Sequence, residues 1–366
     1  MKKITLPLAL CAIASAAAAQ TTVQPTAQTS LTIYGVADAA YTHGSGSVAS
    51  KSALNSGGNQ TSRLGFKGER KLKDGLSANF VYEAQVSTDS GEGQATNTNN
   101  QASGTSTATA GTQGLTFARR STVSLVGSAG EVRLGRDFTA HYRNRVEVDP
   151  FSNVGVGTLL PHQATQGGPT STRASNIIAY FLPANRYGIY GQVQHYFGEN
   201  ASNSTEPDSG SGDSVRLGYA VGKLNVSVAT GRTKYLTTAT TGSITSSNIG
   251  VQYDFGKFKA MTGYFRDSVS RTVPLEATGW SVGGIAPVAT GEVKVAISRY
   301  GTNAAGQPES RKYAVGYVHN LLPDTVAYAT VARVTNSGGA SVALGGATTG
   351  ANKSSTGYDV GLRYTF

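Results

Sequence analysis

The sequence predicts an all-β chain, a 16-stranded antiparallel transmembrane β-barrel, and three observations carry that expectation. Short segments in which apolar and polar residues alternate recur from end to end. The links between them alternate between long and short. Beyond the N-terminal segment no uninterrupted apolar stretch approaches 18 residues, so no membrane-spanning helix is available, and a chain with 46 glycines and 18 tyrosines has few helix-type amphipathic segments.

The first element is an export signal. MKKITLPLALCAIASAAAAQ carries two lysines, an apolar stretch from Leu6 to Ala14, and small residues at Ala17 and Ala19 that suit cleavage before Gln20. Residues 1–19 are expected to be removed, leaving residues 20–366 as one barrel domain. Cys11, the only cysteine, lies inside the signal. It would suit a lipidated terminus only with a small residue before it, and Leu10 is large. A mature chain without cysteine has no disulfides, thiolate metal sites or cysteine nucleophile.

Strand segments follow at 31–42, 62–69, 76–86, 116–127, 131–138, 175–182, 187–197 and 214–221, then at 224–232, 247–255, 258–266, 277–287, 291–301, 311–320, 325–335 and 355–366. Their lengths bracket the roughly 9–11 residues a tilted strand needs to cross the hydrocarbon. Long links occupy 43–61, 87–115, 139–174, 198–213, 233–246, 267–276, 302–310 and 336–354, with tight turns such as GSAG and NLLPD between them. A soluble sandwich has no reason to gather its long loops at one end; an outer-membrane barrel does. In lipid every backbone N–H and C=O needs a partner, so a β-protein spans only by closing on itself, and sixteen strands leave an aqueous channel.

Alternation assigns faces. In 247–255, Ile249, Val251, Tyr253 and Phe255 oppose Asn248, Gly250, Gln252 and Asp254; in the last strand Tyr358, Val360, Leu362, Tyr364 and Phe366 oppose Gly357, Asp359, Gly361 and Arg363. One face suits lipid and the other a wet lumen. Residues 277–301 mix apolar and small side chains and fit the pattern less well. The loop stretch 91–114, rich in Ser, Thr, Asn and Gly, has too few apolar groups for a core of its own. The longest link, 139–174, differs: Phe151, Val154, Val156, Leu159 and Leu160 suit a segment packed against the inside wall.

The formal charge of +10, carried by 31 basic and 21 acidic residues, is scattered rather than clustered, which argues against a nucleic-acid partner and for a basic interior surface. The five histidines, His43, His141, His162, His195 and His319, show no metal-binding spacing, and no catalytic constellation stands out, so no enzyme activity and no cofactor are expected.

LTIYGVADAAY, SRLGFKGERKLKDGLSANFVYE, ARRSTVSLVGSAGEVRLGRDF and the terminal YTF, in that order, resemble the general diffusion porins of Gram-negative bacteria, in particular the β-proteobacterial type that includes anion-selective members. The resemblance covers essentially the whole mature chain and is densest between Leu31 and Tyr180. It implies a homotrimer in outer-membrane lipid and lipopolysaccharide, a third outer loop folded into the lumen as a constriction, and small anionic solutes as the permeating partners. It also implies that the last strand, ending in Phe366 at the periplasmic interface, is read by the outer-membrane assembly machinery.

Alternation and resemblance together nominate the pore lining. Arg63 shares parity with Lys67 and opposes Leu64 and Phe66, so it faces the lumen, and Glu83 does so by the same test. For Arg119 and Arg120 the two arguments conflict: Val123 and Leu125 on the lipid face put Arg120 inside, whereas the motif match makes Arg119 the constriction residue, and a β-bulge would reconcile them. By resemblance, Arg173 is a basic residue near the constriction and Asp149 the loop acid that orients the arginines. Asp38 and Arg133 are further lumen-facing candidates with Lys67. Three classes of function follow: a passive, anion-preferring diffusion pore, a channel specific for an anionic carboxylate or phosphate solute, and a structural or adhesive barrel with a plugged lumen.

Overall fold

The computed structural model of the chain describes residues 29–101, 114–163 and 168–366. The expected signal at 1–19 and half of the polar stretch at 91–114 therefore lie outside the described residues. The strands are β1 (Thr29–Ser45), β2 (Lys51–Ser56), β3 (Arg63–Lys71), β4 (Ser77–Gln85), β5 (Arg120–Gly127), β6 (Gly130–Phe138), β7 (Arg173–Phe181), β8 (Ile189–Tyr196) and β9 (Gly212–Val221). They continue as β10 (Leu224–Thr233), β11 (Ile244–Asp254), β12 (Lys259–Val269), β13 (Leu275–Val288), β14 (Gly291–Thr302), β15 (Glu309–Asn320), β16 (Thr325–Ser337) and β17 (Ser355–Thr365). Two short helices, α1 (Ala140–Glu147) and α2 (Leu160–Gln163), lie between β6 and β7.

Each strand pairs antiparallel with its neighbours, and β17 returns to β1 in a register from Val36↔Thr365 to Ser45↔Thr356, which closes the sheet. The other edge of β1 is shared: Thr29–Val36 pairs with β3 and Ala39–Gly44 with β2. β2 and β3 thus form one interrupted stave, and the barrel has sixteen. The sequence-based reading left 51–56 inside a loop because KSALNS has no alternating apolar face.

Asp38 explains the interruption. Its buried carboxylate accepts N–H groups from Gly58, Asn59 and Gln60 at 3.2, 3.0 and 2.6 Å, and the Tyr328 hydroxyl as well, so it holds the backbone away from the ladder between β2 and β3. Asp38 lies on the inward parity of β1 as a structural acid enclosed by donors.

The two-residue period holds around the barrel. In β9, Val215, Leu217 and Tyr219 are 44%, 52% and 45% exposed, while Ser214 and Arg216 are 3% and 5% exposed. In β17, Tyr358, Val360, Leu362 and Tyr364 point outward and Asp359 is buried inward. A continuous apolar exterior on this scale does not survive in water. Link lengths follow the expected pattern with three exceptions: the link at 182–188 is longer than those at 270–274 and 303–308, the former shortened because β12 and β13 run on until Val269 pairs with Leu275.

The 139–172 link packs against inward-facing side chains. α1 contacts β8 to β11 and α2 contacts β13 to β15. Val148, Phe151, Val156, Leu159 and Leu160 join one buried cluster with Met261, Phe265, Tyr300, Val334 and Leu344, whereas Val154 stays half-buried outside it. Small inward residues make room: a side chain at Gly283 would sit 2.8 Å from the Pro150 ring, and one at Gly263 3.0 Å from Val148. The approach at Gly283 gives a physical reason for one of the small residues within 277–301.

Candidate pore-lining site

Glu83 organises the site. The β3–β4–β5 register sets it opposite Gly65 on one side and Arg120 on the other. Gly65 leaves space that the Tyr34 ring fills, for a Cβ there would lie 2.3 Å from that ring. The Tyr34 hydroxyl then donates to Glu83 Oε2 at 3.0 Å. Arg119 Nε donates to Glu83 Oε1 at 2.7 Å, and its backbone N–H donates to the Glu83 carbonyl at 3.1 Å. Arg63 Nε stands 3.7 Å from Oε2, an ion pair rather than a hydrogen bond.

Arg173, the first residue of β7, donates from Nε to the Arg119 carbonyl at 2.8 Å, and its guanidinium lies 4.4 Å from the Phe138 ring centre. Arg120 turns along its own strand, Nε to Thr122 Oγ1 at 3.0 Å, on the inward face that Thr122 and Ser124 share. Both arginines of the RR pair therefore reach the inner side, and no bulge is involved. The ladder between β4 and β5 is regular and begins at Arg120, so Arg119 stands before the first residue of β5 and escapes alternation. The irregularity in this region sits instead between Gly135 and Asp137 on β6.

Around one carboxylate there are thus Arg63 and Arg119 in contact, Arg173 on the Arg119 backbone, and Arg120 on the facing residue of β5.

The sequence matches the Gram-negative porin family over residues 7–339. The chain belongs to that family. Outer membrane porin protein 32 of Delftia acidovorans is 30% identical over the full length of both chains. Among solved structures, an anion-selective porin from Comamonas acidovorans superposes with a TM-score of 0.80 at 27% identity, covering 93% of this chain and 100% of that one. In-vitro folded OmpT of Vibrio cholerae superposes with a TM-score of 0.64 at 14% identity, over 92% and 98% of the two chains, a likeness of fold alone. This porin is an outer-membrane protein.

The remaining nominated residues of the porin divide. Arg133 faces inward between the outward Val132 and Leu134, paired with Glu131 and Asp137. Lys67 lies on the inward parity with its ammonium 5.7 Å from the Tyr34 ring centre. Asp149 has a different task from the expected one. Its carboxylate accepts N–H groups of Phe151, Asn153 and Leu159 at 2.9, 3.1 and 3.2 Å and the Thr158 hydroxyl at 3.1 Å, so it folds its own loop. Glu83 is the acid that orients Arg63 and Arg119. Phe366 is half-exposed, stacked beside Tyr364, with its backbone paired to Gly35 at 2.9 and 3.1 Å.

Several inward groups were not nominated. Arg216 shows a parity signal, since Val215 and Leu217 flank it, and it bonds Asn144 and Glu147 of α1. Arg145 of α1 reaches Asp267 at 2.9 Å. Tyr34, which shares its parity with Asp38, was missed because only charged side chains were nominated for the wall. His141, on the same helix, is enclosed: burial chiefly, with Arg145 adding and Asp267 opposing, pulls its imidazole down to about 3, so it packs as a neutral ring.

Proposed function

We propose that this porin is a water-filled channel for passive diffusion of small hydrophilic solutes, with a preference for anions set by Arg63, Arg119, Arg120 and Arg173 around Glu83. The supporting observation is the excess of guanidinium over carboxylate at that point of the wall. A unit anion about 5 Å from one guanidinium gains roughly 0.8 kcal/mol even in bulk-like water, and a cation is repelled equally. Arginine suits the task because it stays charged and its planar fork matches oxyanions. The anion selectivity named for the Comamonas relative points the same way.

In this reading the 139–172 segment folds into the lumen and narrows it, the chain works as a homotrimer in lipid and lipopolysaccharide, and the assembly machinery reads the last strand through Phe366. Residues 1–19 are the cleaved signal. As a channel it has no catalytic step and no cofactor.

The test is planar-bilayer recording of the purified protein across a salt gradient. A reversal potential on the anion side and a current that does not saturate are expected. Arg63→Glu, which reverses one charge of the cluster, should move the reversal potential toward the cation side. An unchanged potential removes Arg63 from the filter, and absence of conductance overturns the channel reading.

A further inference from the structure

A second group of arginines runs along the wall beyond the Glu83 cluster, and two phenylalanines link its members. The Arg173 guanidinium lies 4.4 Å from the Phe138 ring centre, and that of Arg143, on α1, lies 5.6 Å from the same ring. Arg143 also lies 5.7 Å from the Phe181 ring, and Arg133 lies 4.0 Å from it. All four contacts fall within cation–π range. The backbone sets this up: after the irregularity at Gly135/Asp137, Phe138 pairs with Arg173, and Arg133 pairs with Ala179 two residues from Phe181.

The charges do not cancel. Asp137 takes Arg133 and, at 3.2 Å, Arg143 Nη2; Glu131 takes Arg133 through two hydrogen bonds of 2.9 Å. Arg173 uses only Nε, on the Arg119 carbonyl. Among the described residues no acceptor meets its two Nη groups or Nη1 of Arg143. Guanidinium N–H groups held over aromatic faces and lacking a protein acceptor are suited to an oxyanion, whose several oxygens match several forked donors.

We propose that Arg173 and Arg143 form a second anion station, selective for multivalent oxyanions over chloride, and that Phe138 and Phe181 are its positioning residues. This rests on the channel reading above. It goes beyond it in naming a station that shares Arg173 with the Glu83 cluster and adds Arg143, a solute class, and two uncharged residues that govern it. An anion leaving the Glu83 cluster by way of Arg173 meets the Arg143 donors next, so the station continues the path from the Phe138–Arg173 pair toward Phe181 and the β5–β6 turn end of the barrel.

Inorganic phosphate is the probe, and the readout is its reduction of chloride current through the reconstituted full-length porin. Wild type should show concentration-dependent block. Phe138→Leu and Phe181→Leu leave every charge in place and should raise the half-blocking phosphate concentration at least threefold, with Phe138→Tyr close to wild type. The KCl reversal potential should stay on the anion side in all three. Should a leucine variant fail to assemble, as judged by heat-modifiable gel mobility, Arg143→Gln gives the same readout. No phosphate block in wild type, or equal block in wild type and these variants, overturns the station. A wild-type reversal potential without anion preference overturns the channel reading instead.

Discussion

A single carboxylate decides how the arginine wall is arranged. Glu83 receives Arg119, Tyr34 and Arg63, and it also lowers the local positive potential. Glu83→Gln keeps an amide oxygen for Arg119 and removes the charge. The anion-to-cation permeability ratio, read from reversal potentials, should rise by roughly threefold or more, since one unit charge at about 5 Å is worth about 0.8 kcal/mol in bulk-like water. A ratio that falls would mean that the acid matters through geometry alone. Arg63 and Glu83 were legible because both lie within regular strands, where parity fixes the face. Arg119 was not, because parity ends where the ladder ends, one residue after it. The enclosure of Asp38 and the task of Asp149 were not legible for a related reason. Their partners are backbone N–H groups that converge only once local turns form, for Asp149 a turn with Ser152 and Asn153 at φ 54° and 61°.

The loop between β6 and β7 is the element whose sequence departs most from its peers, and its apolar residues say why. Phe151, Val156, Leu159 and Leu160 bury against Met261, Phe265, Tyr300 and Leu344, while backbone N–H groups of Val156 and Leu160 reach Asp359 and Ser298 at 2.7 and 3.1 Å. Truncating Phe151 to alanine removes a buried aromatic at a cost of about 3–5 kcal/mol. If this segment narrows the channel, Phe151→Ala should raise single-channel conductance and its noise while the assembled barrel keeps its gel mobility. Unchanged conductance would show that the loop does not limit flow. That the loop packs was readable from its composition, but which residues receive it was not. The receiving surface joins large inward residues, Met261, Phe265 and Tyr300, with inward glycines such as Gly263 and Gly283, and of the strands that carry them only β13 and β14 overlap the stretch 277–301 that fits the pattern less well.

At the scale of the whole molecule the decisive property is the reversal of the usual inside–outside order, and it can be tested at adjacent positions. Sixteen staves were countable in the sequence because apolar outward residues recur every second position, and β2 escaped because its six residues have no such face. Leu217, central in β9 and 52% exposed, faces outward, whereas Arg216 beside it is buried and hydrogen-bonded to α1. In a soluble protein an exposed leucine accepts arginine almost without penalty, since surface substitutions are usually within about 0.5 kcal/mol. In a membrane barrel the same change, Leu217→Arg, near the middle of the hydrocarbon costs roughly 2–4 kcal/mol. Urea unfolding from lipid vesicles should register that loss. The Arg216→Gln variant places no charge in lipid, so its unfolding curve reports only the lost contacts with Asn144 and Glu147. A Leu217→Arg barrel as stable in vesicles as the parent would mean that this face does not meet hydrocarbon, and the reading of the exterior would have to be abandoned.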